Sequence, residues 1–176
     1  MTTIKCDCFE RAFTSCSGAC FDDARTYRYT LWRWWDVSRS PLVVCMLNPS
    51  TANEYELDPT LRRVQQFAKA YGHGGFIVVN AFALRSTDPS ELTRGISDPV
   101  GPFNDEHIRE FASPGAIVVA GWGSNLMKRQ LRYRAAHLAR LIPNAKCWLQ
   151  NADGTPTHPL YQPSSRALVD YAWNPA

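Results

Sequence analysis

Residues 42–52, which read LVVCMLNPSTA, decide the fold. The apolar run that opens this stretch has no polar face, which is typical of a strand covered on both sides, as in a parallel sheet. Pro49 cannot continue a central strand, so we expect the chain to leave the sheet at Asn48. Open α/β sheets bind ligands at the carboxyl ends of their strands, where this carboxamide would lie. A structural asparagine that caps the strand end is an equally good interpretation of the motif alone.

Strands and helices alternate along the rest of the chain. Residues 76–82 and 116–123 are predicted buried strands, and residues 146–150 are a short fourth strand. Residues that can cap a helix precede four predicted helices, at Asp58, Asn104, Ser124 and Ser164. Repeated βα units predict a three-layer α/β/α fold with a central four-stranded parallel sheet.

Length and composition predict one ordinary globular domain. The chain has 176 residues, of which 45% are hydrophobic, and a net charge of +3 in which arginine outnumbers lysine. We expect a single domain over residues 1–176, in which residues 1–23 are a Cys-containing segment of unclear structure. Because no membrane-length apolar run and no signal-peptide pattern occurs, we expect a cytoplasmic protein without a membrane partner, and a monomer.

Four of the six cysteines cluster near the start of the chain, at Cys6, Cys8, Cys16 and Cys20. Their spacing fits no standard zinc or iron–sulfur pattern well, although such a site is an alternative. Reduced thiols in a cytoplasmic protein are the default interpretation, so we expect no metal and no cofactor.

Two stretches suggest contact with nucleic acid. Residues 27–35, YRYTLWRWW, predict an antiparallel edge strand whose aromatic and basic side chains either stack on bases or pack under the sheet. The helix after Ser124 carries Arg129, Arg132 and Arg134, which form either a solvated face or part of a DNA-binding surface.

Asn48, Asn80 and His158 are expected to meet in one crevice, because all three follow the carboxyl ends of predicted strands. Trp122, in the sequence Gly-Trp-Gly after the third strand, is expected to form its wall. Two carboxamides and an imidazole can recognise the hydrogen-bonding edge of a planar ligand. The chain has no Gly-rich phosphate loop and no nucleophile elbow, which argues against a nucleoside-triphosphate enzyme or an ordinary esterase.

The order of these motifs resembles that of the uracil-DNA glycosylase superfamily. The matching segments are Leu-Asn-Pro-Ser at 47–50, Val-Asn at 79–80, Gly-Trp-Gly at 121–123 and His-Pro at 158–159. Residues 27–163 as a whole resemble an uncharacterised domain-of-unknown-function family with Leu-Asn-Pro-Ser and His-Pro-Leu-Tyr motifs.

The superfamily resemblance implies a monofunctional DNA glycosylase that hydrolyses the N-glycosidic bond of a flipped base. In that case Asn48 positions the attacking water, His158 stabilises the departing base, and Asn80 reads the base edge. Further expected contacts are Pro49, Ser50 and Trp122 with the base, and Leu160 and Tyr161 with DNA. The uracil-specific enzymes of that superfamily have Asp where this chain has Asn48, so the site resembles the mismatch-directed branch more closely. The late motif of the superfamily continues as His-Pro-Ser-Pro, where this chain has His-Pro-Leu-Tyr at 158–161.

A small Ser50 follows Pro49, where uracil-specific enzymes have a tyrosine that blocks the carbon-5 side of the base. The resemblance therefore implies a pyrimidine substituted at carbon 5, such as mismatched thymine or a modified base of phage DNA. The alternative is a non-catalytic domain that binds nucleic acid or senses nucleotides. Such a domain has no use for Asn48, a water-positioning carboxamide opposite His158.

Overall fold

The computed structural model describes residues 16–50, 52, 55–94, 98–112, 115–127 and 131–173. In these residues one sheet holds seven strands and three α-helices pack against it. The strands are β1 (Ser17–Phe21), β2 (Arg28–Trp34), β3 (Pro41–Met46), β4 (Gly75–Asn80), β5 (Val118–Ala120), β6 (Lys146–Cys147) and β7 (Val169–Asp170). The helices are α1 (Pro59–Ala70), α2 (Asn104–Phe111) and α3 (Arg132–Leu141).

The sheet is mixed, with the strand order β1-β2-β4-β3-β5-β6-β7. Strands β4, β3, β5 and β6 pair in parallel, whereas β1, β2 and β7 join antiparallel at the two sides. The prediction of an α/β fold is confirmed, but the prediction of a four-stranded parallel sheet is wrong. The antiparallel direction of β2 agrees with the sequence, whereas the antiparallel strands β1 and β7 were not predicted, because their short segments show no clear strand pattern.

Helices cover both faces of the sheet, which accounts for the doubly apolar strands. On one face Val64 of α1 belongs to the same buried cluster as Val44 of β3. On the other face Ile108 of α2 and Leu138 of α3 belong to a cluster with Cys45 of β3. Successive residues of β3 therefore point into two separate cores, as the pleat of a strand requires.

Helix α1 begins and ends where the sequence predicts. Asp58 is its N-cap, and a carboxylate oxygen of Asp58 accepts a hydrogen bond from the backbone N–H of Leu61 at 2.8 Å. Pro59 occupies the first helical position, where a missing N–H does no harm. Gly72 follows the helix with φ of +79°, a conformation that glycine adopts without strain.

The order of the strands creates a crevice at their carboxyl ends. From β3 the chain passes through α1 to β4 on one side, and later through α2 to β5 on the other side. The loop that leaves β3 leads to α1, and the loop that leaves the neighbouring β5 leads to α3 on the opposite face of the sheet. Open α/β sheets bind ligands at such a switch point.

Three local predictions are wrong. Strand β2 is antiparallel as predicted, but it lies inside the sheet and not at its edge. Trp32 and Trp34 are buried in the core, so of the two interpretations of this strand the structure favours packing over base stacking. The long helix expected directly after Ser124 is not found there. Ser124–Met127 form a 3₁₀ turn, and α3 begins at Arg132. The expected last helix after Ser164 is replaced by β7, whose Val169 pairs with Cys147.

Part of the Cys-containing segment is ordered in the sheet, because β1 pairs with β2. Cys20, a residue of β1, is disulfide-bonded, so the prediction of reduced thiols is wrong for it, whereas Cys16 is a free, exposed thiol. Cys6 and Cys8 lie outside the described residues. Within the described ranges, no group of His, Cys, Asp and Glu could hold a metal ion. Among those same residues, no helix is both long enough and apolar enough to cross a membrane.

A buried histidine makes the fold sensitive to acid. His107 of α2 lies 3.1 Å from the hydroxyl of Thr30 and stacks on Tyr29, and burial lowers its pKa from 6.5 to about 4. The unfolded chain binds this proton first as pH falls. We therefore expect the free energy of unfolding to decrease by about 3 kcal/mol between pH 6.5 and 4. Urea unfolding across this range should show a smaller decrease in His107→Gln, and an equal decrease would contradict the assignment.

Candidate functional site

A pocket of about 180 Å³ opens at the carboxyl ends of β3, β4 and β5. It is smaller than the roughly 300–1,000 Å³ sites of drug-sized ligands, so it suits a group about as large as one aromatic ring. Its lining is mainly polar and includes both asparagines and the histidine that the sequence singles out. The residues are Arg28, Met46, Leu47, Asn48, Ser50, Asp58, Thr60, Leu61, Val78, Asn80, Ser86, Thr87, Pro89, Trp122, Asn125 and His158.

Asn48 lies two residues beyond the end of β3, with its side-chain amide fixed in one orientation. Its Nδ2 donates to the backbone oxygen of Ser86 at 2.8 Å and to that of Pro49 at 3.1 Å. Both partners are acceptors, so they determine which end of the carboxamide carries the N–H groups. The side-chain oxygen Oδ1 is therefore left to accept a hydrogen bond from a water or a ligand.

Asn80, the last residue of β4, is 1% exposed, and neither its Oδ1 nor its Nδ2 has a hydrogen-bond partner among the residues that the structure describes. Leaving a buried polar group unpaired costs about 1–3 kcal/mol, so such groups are rare in folded proteins. Asn80 also lines the pocket. A carboxamide that offers one donor and one acceptor to a small pocket is suited to a ligand with a complementary edge.

His158 precedes a 3₁₀ turn, Pro159–Tyr161, and its side chain caps that turn. Its Nδ1 accepts a hydrogen bond from the backbone N–H of Leu160 at 3.4 Å, which places the proton of a neutral ring on Nε2. Burial lowers the pKa of His158, and the carboxylate of Asp58 opposes that shift. At neutral pH the ring is therefore uncharged, with Nε2–H as its donor.

Two buried side chains hold the backbone just after Asn80. Asn104 Nδ2 donates to the backbone oxygens of Asn80 and Ala81, at 2.9 and 3.2 Å. Arg134 Nε donates to the backbone oxygen of Ala81 at 2.5 Å, and its Nη2 lies 2.6 Å from a carboxylate oxygen of Asp105. The prediction that Asn104 caps α2 is wrong, because its side chain makes no capping bond and Phe103 is the N-cap residue.

The remaining predicted base contacts are partly assembled. Ser50 and Trp122 line the pocket, whereas Pro49 is buried and does not belong to the lining. Pro49 instead accepts a hydrogen bond from the backbone N–H of Ser86 through its own backbone oxygen, at 2.9 Å. Tyr55 is 85% exposed and lies away from the pocket, so it does not fill the space beside Ser50.

The sequence from residue 28 to residue 160 matches a protein family described as "Protein of unknown function (DUF1643)". The chain belongs to this family. No curated protein and no solved structure matches the chain. The DUF1643 segment begins at Arg28, the first residue of β2, and ends at Leu160, in the turn after His158. It therefore contains all of the residues that line the pocket.

The residues predicted to contact DNA differ in their exposure. Arg134 is 2% exposed and paired with Asp105, so its assignment to a DNA-binding surface is wrong. Arg132, two residues earlier in α3, is exposed, and Arg129 lies outside the described residues. Leu160 and Tyr161 are exposed on the turn that follows His158.

Arg28 is a pocket residue that the sequence did not single out as part of the site. It is buried, and β2 runs antiparallel to β4, so the start of β2 lies at the same edge as the end of β4. A backbone hydrogen bond of 2.9 Å from Arg28 N–H to the oxygen of Ala83 fixes this position. The antiparallel pairing of β2 with β4 brings Arg28 to the pocket, and the sequence, which predicts an antiparallel strand here, does not reveal that β4 is its neighbour.

Proposed function

We propose that this protein is a monofunctional DNA glycosylase that hydrolyses the N-glycosidic bond of a flipped pyrimidine with a substituent at carbon 5. The observation that carries the proposal is the carboxamide of Asn80, which is buried without a partner in a pocket that also contains Asn48 and His158. The uracil-DNA glycosylase-like arrangement of the fold is part of the same proposal.

The edge of a pyrimidine complements the carboxamide of Asn80. In uracil and thymine, the ring N3–H donates and the O4 carbonyl accepts. In cytosine, the exocyclic amine donates and N3 accepts. Either edge pairs with one Oδ1 and one Nδ2, so a flipped base satisfies both unpaired atoms of Asn80 at once.

Asn48 and His158 divide the chemistry between them. The bond between sugar C1′ and base N1 breaks, its electron pair stays with the base, and the sugar becomes oxocarbenium-like. His158 Nε2–H donates to the base oxygen on which negative charge develops, a preorganised electrostatic contribution. Asn48 Oδ1 orients the water that adds to C1′. A carboxamide is too weak a base to take the water proton, which passes to the departing base anion, directly or through solvent, and gives the neutral free base. The rate therefore depends on the quality of the leaving group.

The exposed turn after His158 suits contact with DNA. Leu160 and the 79% exposed Tyr161 project beside the pocket, where apolar side chains could occupy the gap that a flipped base leaves in the duplex. Arg132 remains a candidate for phosphate contact. The described lining residues include no lysine to form a Schiff base, and this favours base removal without strand cleavage.

The test is incubation with duplex and single-stranded oligonucleotides that differ only in one base. Uracil, thymine opposite guanine, and bulkier carbon-5-modified cytosine and uracil are compared, and abasic sites are detected by alkali. We expect abasic sites with a substituted base, and strand breaks at those sites only after alkali is added. Asn80→Ala serves as the negative control, and its folding is verified by its thermal transition.

Absence of abasic sites with every base would overturn the proposal. If the protein then still bound a modified oligonucleotide, and Asn80→Ala bound it more weakly, the non-catalytic reader would be favoured. Release of a modified base found in phage DNA would give the enzyme a role in defence, whereas release of mismatched thymine would indicate repair.

A further inference from the structure

Arg28 places a positive charge beside the base-sized pocket without a compensating ion pair. Arg28 is 2% exposed, and in the part of the chain that the structure describes no carboxylate forms a salt bridge with it. Buried charges are normally paired, because removing an ion from water is costly. The nearest acidic influence is Asp58, another lining residue, whose carboxylate already accepts the N-cap hydrogen bond of α1.

The hydrogen bonds of Arg28 leave part of its guanidinium unused. Its Nη1 donates to the backbone oxygen of Ala52 at 2.5 Å. Its Nε is buried and has no partner. Desolvation lowers the pKa of Arg28 to about 10, so the group is still protonated at neutral pH. A role in supporting the loop at Ala52 accounts for the hydrogen bond from Nη1. It does not account for the buried positive charge or for the unpaired Nε.

We propose that Arg28 is an anion-stabilising catalytic residue, which acts on the negatively charged pyrimidine that leaves the sugar. This inference rests on the proposed function, and it assigns to the pocket a preference for an anionic over a neutral pyrimidine. The two cues are independent, since Asn80 recognises the edge of the ring and Arg28 responds to its charge. Both line the same pocket.

The charge of Arg28 compensates for the weak activation of water by Asn48. When the C1′–N1 bond breaks, the base gains an electron pair and a full negative charge. Neutral His158 supplies one hydrogen bond to that charge, whereas the guanidinium supplies a fixed positive charge in a site of low dielectric. Stabilisation of this kind grows during bond cleavage, so it lowers the barrier more than it strengthens binding of the neutral base.

Binding of free bases tests the inference without requiring any catalysis. The probes are 5-nitrouracil, which is an anion just above neutral pH, and uracil, which stays neutral there. Calorimetry on the full chain should show tighter binding of 5-nitrouracil than of uracil. In Arg28→Met this preference should fall by about 10- to 100-fold, whereas Arg28→Lys should retain most of it. Arg33→Met, from the same strand but outside the pocket, is the matched control.

The dependence of the base-release rate on the leaving group is a second measurement, and loss of a merely supporting arginine would not change that dependence. Single-turnover rates are measured on DNA with a series of bases of differing leaving-group acidity. Arg28→Met should lose more rate with poor leaving groups than with good ones, because the missing charge matters most when the base anion is least stable. Loss of loop support would instead slow every substrate by the same factor.

The outcomes separate this inference from the proposed function. An equal loss for all leaving groups, together with an unchanged preference for 5-nitrouracil in Arg28→Met, would overturn the role of Arg28 and leave a glycosylase intact. Loss of the anion preference in a protein that releases no base would support the Arg28 site and overturn the glycosylase. If Arg28→Met does not fold, as judged by circular dichroism, Arg28→Lys against Arg28→Gln provides the same comparison.

Discussion

Replacement of His158 with alanine is expected to lower the rate of base release by about 10²- to 10³-fold, the usual effect of removing one preorganised donor. The backbone N–H of Leu160 is bonded to His158 Nδ1, so Nε2–H is the donor that the substitution removes. Burial lowers the pKa of His158, and the ring is neutral at the pH of the assay. The rate should therefore stay level as pH falls from 8 toward the ordinary histidine pKa of about 6.5.

Single-turnover rates on duplex DNA measure this effect, and binding of the same duplex shows whether affinity is retained. His73→Ala is the matched control, because His73 lies at the opposite end of the sheet, against the backbone oxygen of Ser40. A His158→Ala enzyme with full activity would remove this residue from the mechanism. Equal losses in both variants would indicate a general effect of histidine removal on folding.

The elements that the sequence predicts well are those set by local chemistry. The apolar run of β3, the Asp58 cap and the Gly72 end of α1 each depend on residues only a few positions apart. The prediction that Asn48, Asn80 and His158 share one crevice follows from the rule for parallel strands, and all three line the same pocket.

The features that the sequence could not provide depend on long-range pairing. Arg28 reaches the pocket because β2 runs antiparallel to β4, and Arg134 is buried because Asp105 and the oxygen of Ala81 face it across α2 and β4. From their neighbours in the sequence, both arginines are expected on a basic surface. For the same reason, the sequence predicts a helix in the segment where the structure has β7 paired with β6.

The unpaired state of Asn80 is also a property of the folded chain alone. From the sequence, an asparagine at a strand end is as likely to satisfy itself locally as to face a ligand. In the structure its backbone oxygen is occupied by Asn104 Nδ2, while its own carboxamide is left with no partner. The distinction between a capped strand end and a recognition group therefore needs the three-dimensional neighbours.

Replacement of Ser50 with tyrosine is expected to lower release of carbon-5-substituted pyrimidines by about 100-fold and to leave release of uracil within a fewfold of wild type. Ser50 lines the pocket, and the exposed Tyr55 leaves the neighbouring space open. An aromatic ring at position 50 would occupy the volume into which a carbon-5 substituent projects. Rejection by a clash acts on the larger base alone, so the change should appear in the ratio of the two rates.

Competition between uracil and a carbon-5-modified pyrimidine in otherwise identical DNA measures that ratio. Ser50→Ala is the control, since it removes the hydroxyl without adding volume, and it should keep the preference of the wild type. Trp122 is buried in the pocket wall and packs against Tyr171 and Trp173, so it does not fill the space beside Ser50. We therefore expect the wild type to accept the substituted base. Release of uracil alone by wild type, or an unchanged ratio in Ser50→Tyr, would show that the space beside Ser50 does not select the base.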